Sequence, residues 1–229
     1  MRKNAIQLEL PLRRWGGRRA GAGRKRAPGK SKGASHLARP ELKARHPVHV
    51  TMRLRDGVPS LRRKPLAGVV FAAFRAARAR LGARLVQFSV QSNHLHLIVE
   101  ADGHRALSRA MQGLAVRLAR RLNRRLERRG SVFADRYHAR TLRTPLQVRR
   151  ALIYVLHNHK HHLTLPGRPS LFDPMSTAAY FDGFTTRIER WPRDGFVPPK
   201  ESPVAKSQSW LLCVGWRRFG LISPHEAPA

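Results

Sequence analysis

The chain has 229 residues, 41% of them hydrophobic, enough for one domain-sized core plus tails; no apolar run approaches the length of a membrane-spanning helix. Lysine and arginine number 46 against 13 acidic residues, a formal charge of +33, so the default partner is a polyanion, and nucleic acid above all. The single cysteine, Cys213, excludes an internal disulfide and a Cys-rich zinc site; it fits a reducing cytoplasmic setting and leaves His, Asn, Gln or carboxylates to hold any metal.

Residues 1–45 are rich in Gly, Arg, Lys and Pro and lack apolar periodicity, which predicts a basic arm that stays disordered until it meets phosphates. From His46 the texture changes. Residues 47–55 read as a first strand, broken by Asp56-Gly57 and Pro59. Pro65 opens a helix whose apolar residues recur at helical spacing through Leu81, until Gly82. Residues 84–90 alternate again, Gln91-Ser92-Asn93 suits a turn, and His94 to Glu100 completes a hairpin.

A long helix follows from about Arg105 to Arg128, with Leu107, Met111, Leu114, Leu118 and Leu122 in one apolar stripe. Its other faces carry arginines, among them Arg117, Arg121 and Arg124, which we expect to track DNA phosphates. Residues 131–142 read as a further strand, and Pro145 begins a helix running toward His162. The order predicts an α+β fold, a ferredoxin-like antiparallel sheet with helices packed on one face. Residues 46–165 would form this domain. Residues 166–229 read as a small C-terminal extension of unassigned role, with an extended connector at Trp191-Pro192, Val197-Pro198-Pro199 and Ser202-Pro203 and a small apolar helix from Ser209 to Leu221.

Chemistry concentrates in two segments. On a strand, residues two apart point the same way, so His94 and His96 hold their imidazoles side by side as half of a metal site. On the last helix Tyr154 and Asn158 are four apart and share a face. A tyrosine hydroxyl is a poor nucleophile at its usual pKa of about 10, but a divalent cation polarising a phosphate makes its attack feasible. Asn158 can add a neutral oxygen ligand, and two imidazoles with one amide oxygen suit Mg²⁺ or Mn²⁺ better than a structural zinc.

Asn93-His94-Leu95-His96-Leu97 resembles the His-hydrophobic-His (HUH) motif of single-tyrosine transposases, most closely the REP-associated tyrosine transposase type. Residues 133–140 and Tyr154-Val155-Leu156-His157-Asn158 are similar to that family's later segments, and the resemblance covers about residues 46–165. It implies a metal-dependent nuclease and strand transferase acting on single-stranded or hairpin DNA in the cytoplasm, associated with the nucleoid. His94, His96 and Asn158 would be metal ligands. Tyr154 would be the nucleophile that forms a 5′-phosphotyrosine linkage. From their own place in the strand after the long helix, Arg136 and Tyr137 are expected to contact phosphate or base. Relatives usually have Pro after that Asn; here His159 stands there, which predicts that the helix runs on through His162.

Tyr137 is the competing nucleophile and Tyr180 lies outside the matched region. His49 reads as structural, Glu100 and Asp102 as exposed strand-end carboxylates, and His157, His159, His161 and His162 as a basic helix end. A different class of function is a nucleic-acid-binding protein without catalysis, but its sheet would need exposed aromatics where this one has histidines and Phe88. A catalytically silent repressor would have no use for the intact His94, His96, Tyr154 and Asn158. Both a monomer and a homodimer are compatible with the sequence.

Overall fold

The structure, a computed structural model, describes residues 40–80, 82–162, 171–186 and 196–228, with the side chains of residues 161 and 162 excepted. The basic arm, apart from residues 40–45, and the Trp191-Pro192 stretch lie outside the described residues. Five strands form one antiparallel sheet in the order β2-β3-β4-β1-β5: β1 Val48–Arg53, β2 Ala79–Arg80, β3 Ala83–Val90, β4 His94–Ala101 and β5 His138–Thr141.

Alternation along the two central strands creates two different faces. Val48, Val50 and Met52 of β1 and Leu95, Leu97 and Val99 of β4 point to one side. There they meet α1 (Lys64–Ala77) and α2 (His104–Arg125) in a core centred on Phe71, Phe74 and Phe88. The stripe read from the sequence of α2, Leu107 to Leu122, is buried in that core. The opposite face carries His49 and Thr51 of β1 and His94, His96, Ile98 and Glu100 of β4.

That second face departs from the expected single helical layer. Ile98 and Val86 need cover, and α3 (Pro145–His157) supplies it with Val148, Leu152, Val155 and Leu156. A bulge at Val86, between the Leu85–Val99 and Gln87–Ile98 pairs, turns Val86 to this side. The C-terminal residues complete the layer: Leu211 and Leu212 of α4 (Trp210–Cys213), then Trp216 and Ile222, join the α3 core. The α+β class and antiparallel sheet hold, with helical layers on both faces.

Three elements differ in extent from their sequence reading. The first helix ends at Ala77, because Gly82 takes φ +72° in the turn between β2 and β3 and the chain must leave the helix before it. A Cβ at Gly82 would lie 2.5 Å from Asp102 Oδ2, a second reason for glycine. Residues 131–142 form a broken edge instead of one strand. Val132–Ala134 pair with Arg53–Arg55, the chain loops out, and only His138–Thr141 resume pairing with β1. The α-helix that bears Tyr154 stops at His157 even without proline and continues as a tighter 3₁₀ turn over Asn158–His162.

Candidate functional site

The hairpin of β3 and β4 fixes His94 and His96 on the α3 side of the sheet, with ring centroids 4.6 Å apart and the rings nearly perpendicular. His94 Nδ1 lies 2.8 Å from Asn93 Oδ1 and donates to it, so the lone pair of that ring is on Nε2. His96, 4% exposed, engages β1 through its own Nδ1: Thr51 Oγ1 and His49 Nε2 each lie 3.2 Å away. Thr51 is the direct backbone partner of His96, and His49 reaches it diagonally.

Tyr154 comes to this cluster from α3. Its ring centroid is 5.0 Å from that of His96 and 5.7 Å from that of His49, edge-on in both cases. Thr144 caps the helix by accepting the Gln147 N–H, and Pro145 occupies its first turn, so the start of α3, and with it the turn that presents Tyr154, is fixed by short-range signals. Asn158 follows one turn later at the helix C-terminus. It is fully buried, and neither of its amide atoms has a hydrogen-bond partner among the described residues. Such an orphaned carbonyl oxygen costs free energy unless something satisfies it, which fits a cation-ligating role.

The sequence reads His49 as structural; the fold places its ring against both His96 and Tyr154, at centroid distances of 5.3 and 5.7 Å. Burial, helped by the Arg140 charge, pushes its imidazole down to about 4, so it is neutral at physiological pH. The only sequence signal was its place on the same strand face as Thr51, which becomes meaningful once the β1–β4 register is known.

Glu100 also needs correction. It is 1% exposed, and it accepts the backbone N–H groups of Gln208 and Ser209 and the Arg84 side chain. It therefore ties the C-terminal segment to the sheet. Asp102, by contrast, is exposed as expected. The helix end is likewise not a basic surface. His157 and His159 are buried at 0% and 7% exposure. His157 stacks on Phe184 and donates from Nδ1 to the Glu226 carbonyl at 2.9 Å, and burial pushes its pKa to about 4. The side chains of His161 and His162 lie outside the described residues.

The other tyrosines are elsewhere. Tyr137 packs with the α1–α2 core on the opposite face of the sheet, its hydroxyl 3.2 Å from Ser108 Oγ. Tyr180 donates to the Pro199 carbonyl at 2.6 Å, and burial raises its pKa to about 12. Of the expected DNA contacts, Arg136 and Arg124 are exposed, Arg121 is half-buried, and Arg117 is turned across α1 toward the Ala76 carbonyl. Among the described residues no cluster of three His, Cys, Asp or Glu could hold a metal, and no helix is long and apolar enough to cross a membrane. The predicted donor set has two such residues and an amide.

A strand bearing His-x-His, faced by a tyrosine on the helix that covers it, is the arrangement implied by the sequence resemblance. Residues 44–158, about half of the chain, match the model of the family described as "Transposase IS200 like", and the chain belongs to that family. It is a transposase in that broad sense. Among solved structures, a REP-associated tyrosine transposase bound to a REP hairpin is 15% identical over 63% of this chain and 82% of its own, with a TM-score of 0.49. A candidate transposase from Deinococcus radiodurans R1 is 17% identical over 58% of this chain and 97% of its own, with a TM-score of 0.38. No curated protein matches the chain.

Proposed function

We propose that this transposase cleaves and rejoins single-stranded or hairpin DNA through Tyr154, with a divalent cation held by His94, His96 and Asn158. The observation that carries the reading is the 5.0 Å approach of the Tyr154 ring to His96 across the gap between β4 and α3. His94 would ligate through Nε2, since its Nδ1 donates to Asn93; His96 would do the same, its Nδ1 being engaged by Thr51 and His49. When bound, Mg²⁺ or Mn²⁺ would polarise the scissile phosphate and stabilise charge on its oxygens.

Tyr154 Oη then forms the new P–O bond as the bond to the 3′-oxygen breaks. The phenolic proton leaves with solvent, and the departing 3′-oxygen gains one and becomes a free hydroxyl. The 5′ end stays on the enzyme as a phosphotyrosine. Attack by another 3′-hydroxyl reverses the step and joins new ends, so no external energy source is needed. DNA as the partner is supported by family membership and by the +33 charge.

The test is covalent capture. Labelled hairpin or single-stranded DNA incubated with the protein and Mn²⁺ should give an adduct that survives denaturation, is lost in Tyr154→Phe and persists in Tyr137→Phe. Intact binding with no adduct on any substrate would favour a binding protein without catalysis.

A further inference from the structure

A groove on the other side of the sheet takes no part in this chemistry. It has a volume of about 360 Å³ and lies between α2 and the loop that precedes β5. Its floor is apolar, formed by Met111, Ala115 and Phe133, and its rim carries Gln112, Arg136 and Tyr137. The contact between the Tyr137 hydroxyl and Ser108 Oγ holds the tyrosine ring against α2.

One short strand separates the groove from the His-Tyr cluster. His138, the residue after Tyr137, begins β5 and pairs with Thr51, whose hydroxyl meets His96. β5 is the edge of the sheet, and His138, Ala139 and Arg140 are exposed. Adjacent strands lie about 4.8 Å apart, which puts β5 on the order of 10 Å from β4. A DNA strand leaving the cluster over this edge meets the groove within a few nucleotides.

The lining has the character of a site for a flat ligand with apolar faces and hydrogen-bonding edges. Its volume is at the small end for ligand pockets, of a size for one base and too small for a duplex. Met111, Phe133 and Tyr137 offer faces for stacking, and the Gln112 amide can donate to and accept from a base edge. Arg136 beside the mouth, and the exposed Arg105 and Arg109 on the turns of α2 before Gln112, supply charge for the flanking phosphates.

We propose that this groove receives one unstacked nucleobase of the DNA strand that is cleaved, and so helps to set where cleavage occurs. The inference rests on the strand-transfer reading above. The experiment is an abasic scan: full-length protein is titrated with single-stranded oligonucleotides, each lacking one base, and the scan is repeated with Ala115→Leu, which fills the floor, and with Gln112→Ala on the exposed rim.

One position is expected at which loss of the base weakens binding about 10-fold in the unaltered protein and has no further effect in Ala115→Leu. Gln112→Ala should stay sensitive to the missing base there but lose preference among the four bases. Should Ala115→Leu fail to fold, Gln112→Trp blocks the mouth from the solvent side and makes the same prediction. Additive effects at every position, with the Tyr154 adduct intact, would overturn the groove and leave the strand-transfer reading standing. Absence of any DNA binding would overturn both.

Discussion

His49 Nε2 lies 3.2 Å from His96 Nδ1, and the contact crosses from β1 to β4 two residues along β1 from the direct partner, Thr51. The neutral His49 imidazole can accept a hydrogen bond from His96 Nδ1–H, which would fix both the orientation of His96 and the nitrogen it presents to the proposed cation. His49→Phe should keep the ring packing but remove the acceptor. We expect Mn²⁺ affinity, measured by calorimetry, to fall by about 10- to 100-fold while the melting temperature changes little. Unchanged affinity would make His49 a packing residue.

Glu100 is buried beside Arg84, and its carboxylate accepts the N–H groups of Gln208 and Ser209 just before α4. Glu100→Ala leaves those donors unmatched and removes the partner of Arg84. Breaking a buried pair of this kind costs about 3 kcal/mol. Chemical denaturation should show that loss, and limited proteolysis should cut faster near Lys206, where the segment would lift from the sheet.

Acid should destabilise the fold in two steps. His157 is held at about 4 against an ordinary 6.5, chiefly by burial and then by the Lys160 charge. Below about pH 6.5 the unfolded chain takes up a proton that the folded one refuses until about pH 4. Stability therefore falls across that window, and His49 adds to the same slope. Glu226 acts lower. Burial pushes its carboxyl up, but the Arg149 hydrogen bonds and the Ser223 N–H outweigh burial and hold it below the usual range. Its stabilisation is full above the ordinary carboxylate pKa and is lost as pH falls through the folded value. Thermal melts from pH 8 to pH 3 should show His157→Phe flattening the upper step and Glu226→Gln the lower.

Two arginines on α2 should part company. Arg117 is half-buried against α1, with Nη1 directed at the Ala76 carbonyl, whereas Arg124 is exposed. Arg124→Ala should weaken DNA binding and reduce the slope of log affinity against log salt by about 1. Arg117→Ala should act mainly on stability. Equal effects of both on the salt slope would place both on the DNA.

What was legible in the sequence was what short-range pattern controls. Alternation located β1, β3 and β4; the Leu107–Leu122 stripe located α2; Pro145 marked the start of α3. Period placed His94 and His96 on one strand face and Tyr154 and Asn158 on one helix face; that the two pairs share a site was implied by the family resemblance. The contribution of His49 depended on the register between β1 and β4, strands separated by some forty residues, which no local pattern encodes. Glu100 was misread because its partners, Gln208 and Ser209, lie in a segment without strong periodicity. The same segment supplies Trp216 and Ile222 to the second core, so α3 could be given a cover only in three dimensions.

The most direct measurement is the site of covalent attachment. The adduct formed on labelled single-stranded DNA with Mn²⁺ is digested with nuclease and trypsin, and the modified peptide is mapped by mass spectrometry. The account predicts a nucleotide on Tyr154, within peptide 151–160. A nucleotide on Tyr137, or on any residue of the α1–α2 face, would contradict it.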